Sequence, residues 1–307
     1  MNSFYVLLCR IYFVAKDLGV PRILDRCPAT MRALRRLRAL IERHLLPNRQ
    51  VWVQAKGGLS QGMWMQLRLP DEERHWRGEH EIDVQDAIRA GIQPGAVVYD
   101  IGSHIGTIAL GAARLVGQLG CVVAFDGDPE NAAALRESSV RNHLAARLDV
   151  VHAAVWSHTE SQGIRFRRGG TRRSQGGVEV NGQHPVVGTG EIISVPAVTL
   201  DDFITTGGPI PQLVKIDVEG GEYEVLCGGT KLFARQRPRI IAEVHHQRAA
   251  EQIGAWLEEY QYCAQWNIPK ESFPRCLFAW PSEYDGAGWL RESAALRKLR
   301  PMRHFTS

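Results

Sequence analysis

The chain has 307 residues, 44% of them hydrophobic, and a formal net charge of +4; it has apolar content enough for a sizeable core, and so mild a charge makes no electrostatic case for nucleic acid as a partner. The six cysteines, Cys9, Cys27, Cys121, Cys227, Cys263 and Cys276, form no C-x-x-C pair and show no other metal-ligand spacing. A zinc site and a disulfide framework are therefore not expected, and a reducing, cytoplasmic setting is the simpler assumption.

Phe4 to Ala15 is largely apolar, but Arg10 interrupts it and it falls far short of the ~20 residues that span a bilayer. It also lacks the basic start and small-residue cleavage site of a secretory signal. Arg32, Arg35, Arg36, Arg38 and Arg43 interleave with Met31, Leu34, Leu37, Leu40 and Ile41 at helical spacing. Two readings of this basic amphipathic helix stay open: a cap packed on the domain, or a peripheral contact with an anionic membrane surface. The chain divides into an N-terminal helical segment (1–48), a hairpin and lead-in helix (49–91), a main domain (92–282) and a C-terminal tail (283–307). Assembly into a homo-oligomer is left open.

Val51, Val53, Met63, Met65 and Leu67 alternate weakly and suggest a hairpin about Lys56-Gly57-Gly58, followed by a helix from about Asp83 to Ala90. After the Pro94-Gly95 turn, Ala96 to Ile101 is the nearly continuous apolar run of a strand covered on both faces. It delivers the chain to Gly102-Ser103-His104-Ile105-Gly106, where glycine lets the backbone approach a ligand closely. Ile108 to Val116 has helical spacing, and its N-terminus would present free N–H groups and partial positive charge. The resulting D-x-G-x-x-x-G is not the G-x-G-x-x-G of dinucleotide sites, and no G-K-[ST] triplet exists to cradle phosphate. What remains resembles the pattern of S-adenosylmethionine (SAM)-dependent methyltransferases; a purely structural glycine turn is the competing reading.

Cys121 to Phe125 runs apolar into Asp126, roughly 20 residues beyond the glycines, where α/β nucleotide sites place an acid for ribose hydroxyls. Asp128-Pro129-Glu130 is a helix start, which makes Asp128 a cap rather than a ligand. The strand and helix alternation that continues to about residue 280 predicts a doubly wound sheet. Arg165-Phe166-Arg167-Arg168-Gly169-Gly170-Thr171-Arg172-Arg173 reads as a basic loop, either solvated or a clamp for an acidic acceptor through residues such as Arg172. Thr199-Leu200-Asp201-Asp202 has capping-box spacing.

In Leu213-Val214-Lys215-Ile216-Asp217-Val218-Glu219, alternation aims Lys215, Asp217 and Glu219 to one face. Asp217 and Glu219 then face a cleft beyond the strand end, while Lys215, deeper, pairs with an acid in the sheet. In Arg239 to His246, Glu243 and His245 share a face and His246 points away. His245 has a pKa suited to taking a proton; a structural role for both, His245 satisfying a loop carbonyl and Glu243 paired with Lys215, is the equal alternative. No H-x-x-x-H, H-E-x-x-H or other metal cluster appears.

These segments, with Ala124-Phe125-Asp126, Lys215-Ile216-Asp217-Val218-Glu219-Gly220 and Ala242-Glu243-Val244-His245, resemble the FkbM-type SAM-dependent methyltransferases over about residues 78–246, extending to 280 through Cys276-Leu277-Phe278-Ala279. The resemblance implies a class I, Rossmann-like α/β fold with a mostly parallel, doubly wound seven-stranded sheet, here carrying an N-terminal helical appendage. It implies O-methylation of a hydroxyl on a sugar, glycolipid, polyketide or similar small acceptor. By position, Asp100, Gly102 and Gly106, with Ser103 and His104 in the same loop, would hold the methionine part of SAM. Asp126 would hold the ribose, and Gly127, Ala153 and Ala154 would flank the adenine. Gly78-Glu79-His80-Glu81 resembles the family's G-x-Y-E, making Glu81 a cofactor-site candidate with His80 in place of the aromatic. Phe125-Asp126-Gly127 also departs from the family's F-E-P, and the role of His104 is open. The expected base is His245, or Asp217 acting with Glu243; Asp217, Glu219 and Arg172 are expected beside the acceptor. Two alternatives are a divalent ion held by Asp217, Glu219 and Glu243, and a SAM-binding scaffold without catalysis.

Overall fold

The computed structural model describes residues 2–17, 49–169, 176–179, 190–268, 272–284 and Trp289. The basic helix expected at 31–43 and Arg172 lie outside the described residues. Helix α1 (Asn2–Asp17) buries Tyr5, Cys9 and Phe13 at a spacing of four and sets the Phe13 ring 5.8 Å from that of Trp76. Strands β1 (Arg49–Gln54) and β2 (Trp64–Leu69) form the expected hairpin, with Val51 opposite Leu67 and Val53 opposite Met65, all four buried. Short helices α2 (Glu73–Arg77) and α3 (Ile82–Gly91) lead to β3 (Val97–Ile101).

The chain continues through α4 (Thr107–Leu115), β4 (Cys121–Asp126), α5 (Pro129–Arg141), β5 (Leu148–His152), β6 (Ala154–Val155), β7 (Glu160–Arg167), β8 (Gly177–Val178) and β9 (Ile192–Val198). It closes with α6 (Leu200–Thr205), β10 (Leu213–Ile216), α7 (Glu222–Cys227), α8 (Thr230–Arg235), β11 (Arg239–Val244), α9 (Gln247–Glu259), β12 (Tyr262–Trp266) and β13 (Arg275–Pro281). Both cap readings hold: Asp128 accepts from Glu130 N, and Thr199 accepts from Asp202 N.

Seven strands form the main sheet in the order β12-β13-β11-β10-β3-β4-β5, parallel except where β13 pairs with its neighbours. This is the doubly wound, mostly parallel sheet expected from the sequence. Alternate residues feed two cores: Val98, Val122 and Ile241 pack with α3, α4 and the hairpin, whereas Tyr99, Val123 and Ile240 pack with α7, α8 and α9. Burial on both faces explains why the central strands are continuous apolar runs. Strand β3 sits between β4 and β10, so the chain leaves it in one direction and later returns on its other side. Crevices at such a switch point are where open α/β sheets bind ligands.

A second sheet, β6-β9-β7-β8, contributes Ala154, Val155, Phe166 and Val178 to the crevice at this point. It corrects the loop reading for 165–167, while 170–173 lie outside the described residues: Arg165 and Arg167 lie in β7 and both pair with Glu179, and Arg168 pairs with Asp128 and Glu130. Trp289 is buried against α3, donating from Nε1 to Ala87 O at 2.9 Å. No helix among the described residues is long and apolar enough to cross a membrane.

Candidate active site

The end of β3 is built around a backbone that only glycine accepts. Gly102 has φ +76°, and a Cβ there would lie 1.7 Å from Asp217 O. Gly102 N and Ser103 N both donate to Phe125 O, at 2.9 and 3.0 Å, and Asp217 N donates to Ile101 O at 2.9 Å. The loop is thus laced to β4 on one side and β10 on the other. Gly106, φ +86°, caps α4 where a side chain would strike Leu135.

Asp126 latches this loop. Its Oδ2 accepts from His104 N at 2.7 Å, and its Oδ1 accepts from Asp128 N at 2.8 Å and Asn131 Nδ2 at 3.3 Å. Burial outweighs those bonds and pushes the carboxyl up to about 7. A carboxylate has about four lone-pair sites, so acceptor capacity remains for a ligand hydroxyl.

Above the strand ends lies a cavity with about 840 Å³ of empty space, part of it open to solvent. Its wall includes Glu81, Gly102, Ser103, His104, Asp126, Gly127, Ala153, Ala154, Asp217 and Glu219, so most of the sequence-predicted site residues meet in one place. Asp100 and Gly106 lie beneath the wall rather than on it, and Glu243 and His245 stand behind its acidic end. Ser103 Oγ and Asn131 Oδ1 are buried on the wall without a hydrogen-bond partner. Orphaned polar atoms beside a glycine cradle fit a polar cofactor.

At the acidic end, Lys215 is buried with Nζ 3.4 Å from Asp100 Oδ1, 3.4 Å from Asp217 Oδ2 and 3.1 Å from Gly102 O. Burial opposes its charge, but Asp100, Asp217, Glu81 and Glu243 outweigh it and hold the ammonium protonated. Burial alone would raise Glu81, yet Lys215 and His80 bring it below the usual carboxylate range. Burial, reinforced by Asp217 and Glu81, pushes Glu243 up to about 8, and burial raises Glu219 to about 7.

Strand β10 stops at Ile216, so Lys215, Asp217 and Glu219 do not share a face by strand alternation as expected. Glu219 instead adopts φ +55° and brings Oε2 to 3.2 Å from His245 Nε2. His245 is engaged through both ring nitrogens: Nδ1 meets Glu222 Oε1 at 2.8 Å, and Nε2 also faces Asp217 Oδ1 at 3.7 Å. Burial disfavours its charge, but the Glu222 bond and the flanking acids raise it to about 10. His245 thus sits among carboxylates that favour its charged form. His246 points away and caps α9, accepting from Ala249 N.

Sequence reasoning missed Glu222, which holds His245 and accepts from Gly220 N at 2.8 Å; its signal was an acid directly after the double glycine. It also missed His75, whose ring lies 4.1 Å from His80 and 5.2 Å from His104 on the cavity wall. No spacing in the chain announces that approach.

Residues 100–264 match the model of the methyltransferase FkbM domain. The chain is 29% identical over 177 residues to the hexuronic acid methyltransferase AglP of Haloferax volcanii, covering 56% of this chain and 67% of the relative. It is 31% identical over 183 residues to the 31-O-demethyl-FK506 methyltransferase FkbM of Streptomyces tacrolimicus, covering 52% and 69%. A crystal structure of methyltransferase FkbM from Methylobacillus flagellatus superposes with a TM-score of 0.44 at 15% identity, over 65% of this chain and 55% of that one.

Proposed function

The chain belongs to the FkbM methyltransferase family, and from that premise we propose that it uses SAM to O-methylate a hydroxyl of a sugar, polyketide or similar small or glycan acceptor. The observation that carries this reading is one cavity whose wall runs from the glycine loop and Asp126 to Asp217 and Glu219. When bound, SAM supplies a methyl group on a cationic sulfonium. Gly102 and Ser103 take its methionine end, with the Ser103 hydroxyl finding there the partner it lacks. Asp126 accepts from ribose hydroxyls with its remaining lone pairs, and Gly127, Ala153 and Ala154 leave room for a flat base.

Asp217 and Glu219 stand on the wall where the acceptor enters, and they take the hydroxyl proton, a role that typically gives about 10²–10⁴-fold. His245, bound through both ring nitrogens, positions these two acids. Holding the acceptor oxygen in line with the methyl group lowers the rest of the barrier. The relatives' names, a hexuronic acid and FK506 methyltransferase, favour a sugar or polyketide hydroxyl. The five described cysteines are free thiols, which suits the cytoplasmic setting proposed here. The test is mass spectrometry after incubation with methyl-labelled SAM and a panel of hexuronic-acid glycans and hydroxylated polyketides. A labelled O-methyl product supports the reading; SAM binding without transfer across the panel favours a non-catalytic scaffold.

A further inference from the structure

We propose that Asp217, Glu243 and His245 form a divalent-cation site beside the acceptor end of the cavity. One oxygen from each acid and one imidazole nitrogen lie within 4.8 Å of one another. Ligands at about 2.0–2.2 Å from a shared ion stand about 3–3.5 Å apart, so the three side chains would close on it from a separation of at most 4.8 Å.

Three observations go beyond an internal ion pair. His245 Nδ1 is bonded to Glu222 at 2.8 Å, while Nε2 faces Glu219 Oε2 at 3.2 Å and Asp217 Oδ1 at 3.7 Å. A carboxylate on one ring nitrogen is the usual support of a metal-bound histidine, and an ion would take Nε2 in place of Glu219. Acids also outnumber cations here, because Asp217, Glu219 and Glu222 stand against His245 and Asp100 and Asp217 share Lys215. Finally, Asp217 Oδ1 and Glu222 Oε2 are buried oxygens that accept no hydrogen bond, and the Glu222 side chain is fully buried.

The set differs from the three carboxylates expected from sequence, since Glu219 turns to pair with His245 and the imidazole takes its place. All three ligands are only partly buried, which leaves positions for water or an acceptor oxygen. Mixed oxygen and nitrogen donors suit Mn²⁺ or a related first-row dication. The use of the ion, polarising the acceptor hydroxyl, rests on the methyl-transfer reading; its binding does not.

The test titrates chelator-stripped, full-length protein with Mn²⁺, following free ion by electron paramagnetic resonance, with SAM binding measured in parallel. Expected are one Mn²⁺ per chain, ¹⁴N coupling from an imidazole in pulsed spectra of the bound ion, and about 10–100-fold weaker binding in Glu222→Gln. Asp126→Asn is expected to keep Mn²⁺ while weakening SAM binding. No stoichiometric Mn²⁺ on the wild type, or bound Mn²⁺ without ¹⁴N coupling, overturns the site, and neither result depends on a variant folding. Mn²⁺ bound with ¹⁴N coupling but no SAM binding supports the cation site and removes the methyl-donor reading instead.

Discussion

Gly102 and Asp217 are fitted backbone to backbone: the carbonyl of Asp217 occupies the space a Cβ at Gly102 would need. The loop that would hold the donor therefore fixes the strand end that would meet the acceptor. Gly102→Ala combines a left-handed φ, costing about 1–2 kcal/mol, with overpacking of typically about 1–3 kcal/mol. A lowered melting temperature and loss of SAM binding are expected in calorimetry; near-wild-type values for both would show that the two segments are not interlocked.

Asp126 gives opposite pH signs for stability and for ligand binding. Its folded pKa, about 7, lies above the unfolded value, so its contribution to apo stability is fully present below the ordinary carboxylate pKa and lost as pH rises through about 7. Accepting ribose hydroxyls requires the ionised form, so SAM affinity rises over the same interval, by about tenfold for a unit of pH below the pKa. Titration calorimetry at pH 6 and 8 checks this against Asp126→Asn, which should show neither dependence from this site. A wild-type affinity indifferent to pH would remove Asp126 from ribose binding.

Lys215 neutralises acids that have no water. Lys215→Met leaves Asp100 buried without its cation, and breaking such a pair costs about 3–5 kcal/mol. Adding Asp100→Asn should recover part of that loss, so the double variant is expected to unfold in urea later than the sum of the singles requires.

Thr199 supplies a control away from the cavity. Its hydroxyl accepts from Asp202 N at 2.9 Å, and Thr199→Ala should cost about 1 kcal/mol with turnover unchanged, as measured by chemical denaturation and a methyl-transfer assay.

The parts legible in the sequence are those whose physics is local or comes from full burial. Strands β3, β4 and β11 announce themselves as apolar runs because both faces are covered, and the caps at Asp128 and Thr199 depend on residues two and three positions away. Lys215 was readable as a misplaced cation, and its partners proved to be both the buried Asp100 and the cleft-facing Asp217. The left-handed Glu219 was not readable, because a tertiary pairing with His245 stabilises a backbone that its side chain disfavours. Strand β7 was obscured by its arginines, whose partner Glu179 stands directly after β8. Glu222 and His75 acquire their roles only when segments distant in sequence meet.

The most direct test of a single cavity with a donor end and an acceptor end pairs SAM affinity with single-turnover methyl transfer in Asp126→Asn and Asp217→Asn. Asp126→Asn should lose affinity, whereas Asp217→Asn should bind SAM within a few-fold of wild type and transfer methyl about 10²–10⁴-fold more slowly. Wild-type transfer by Asp217→Asn, or loss of SAM binding as complete as that of Asp126→Asn, would contradict that division.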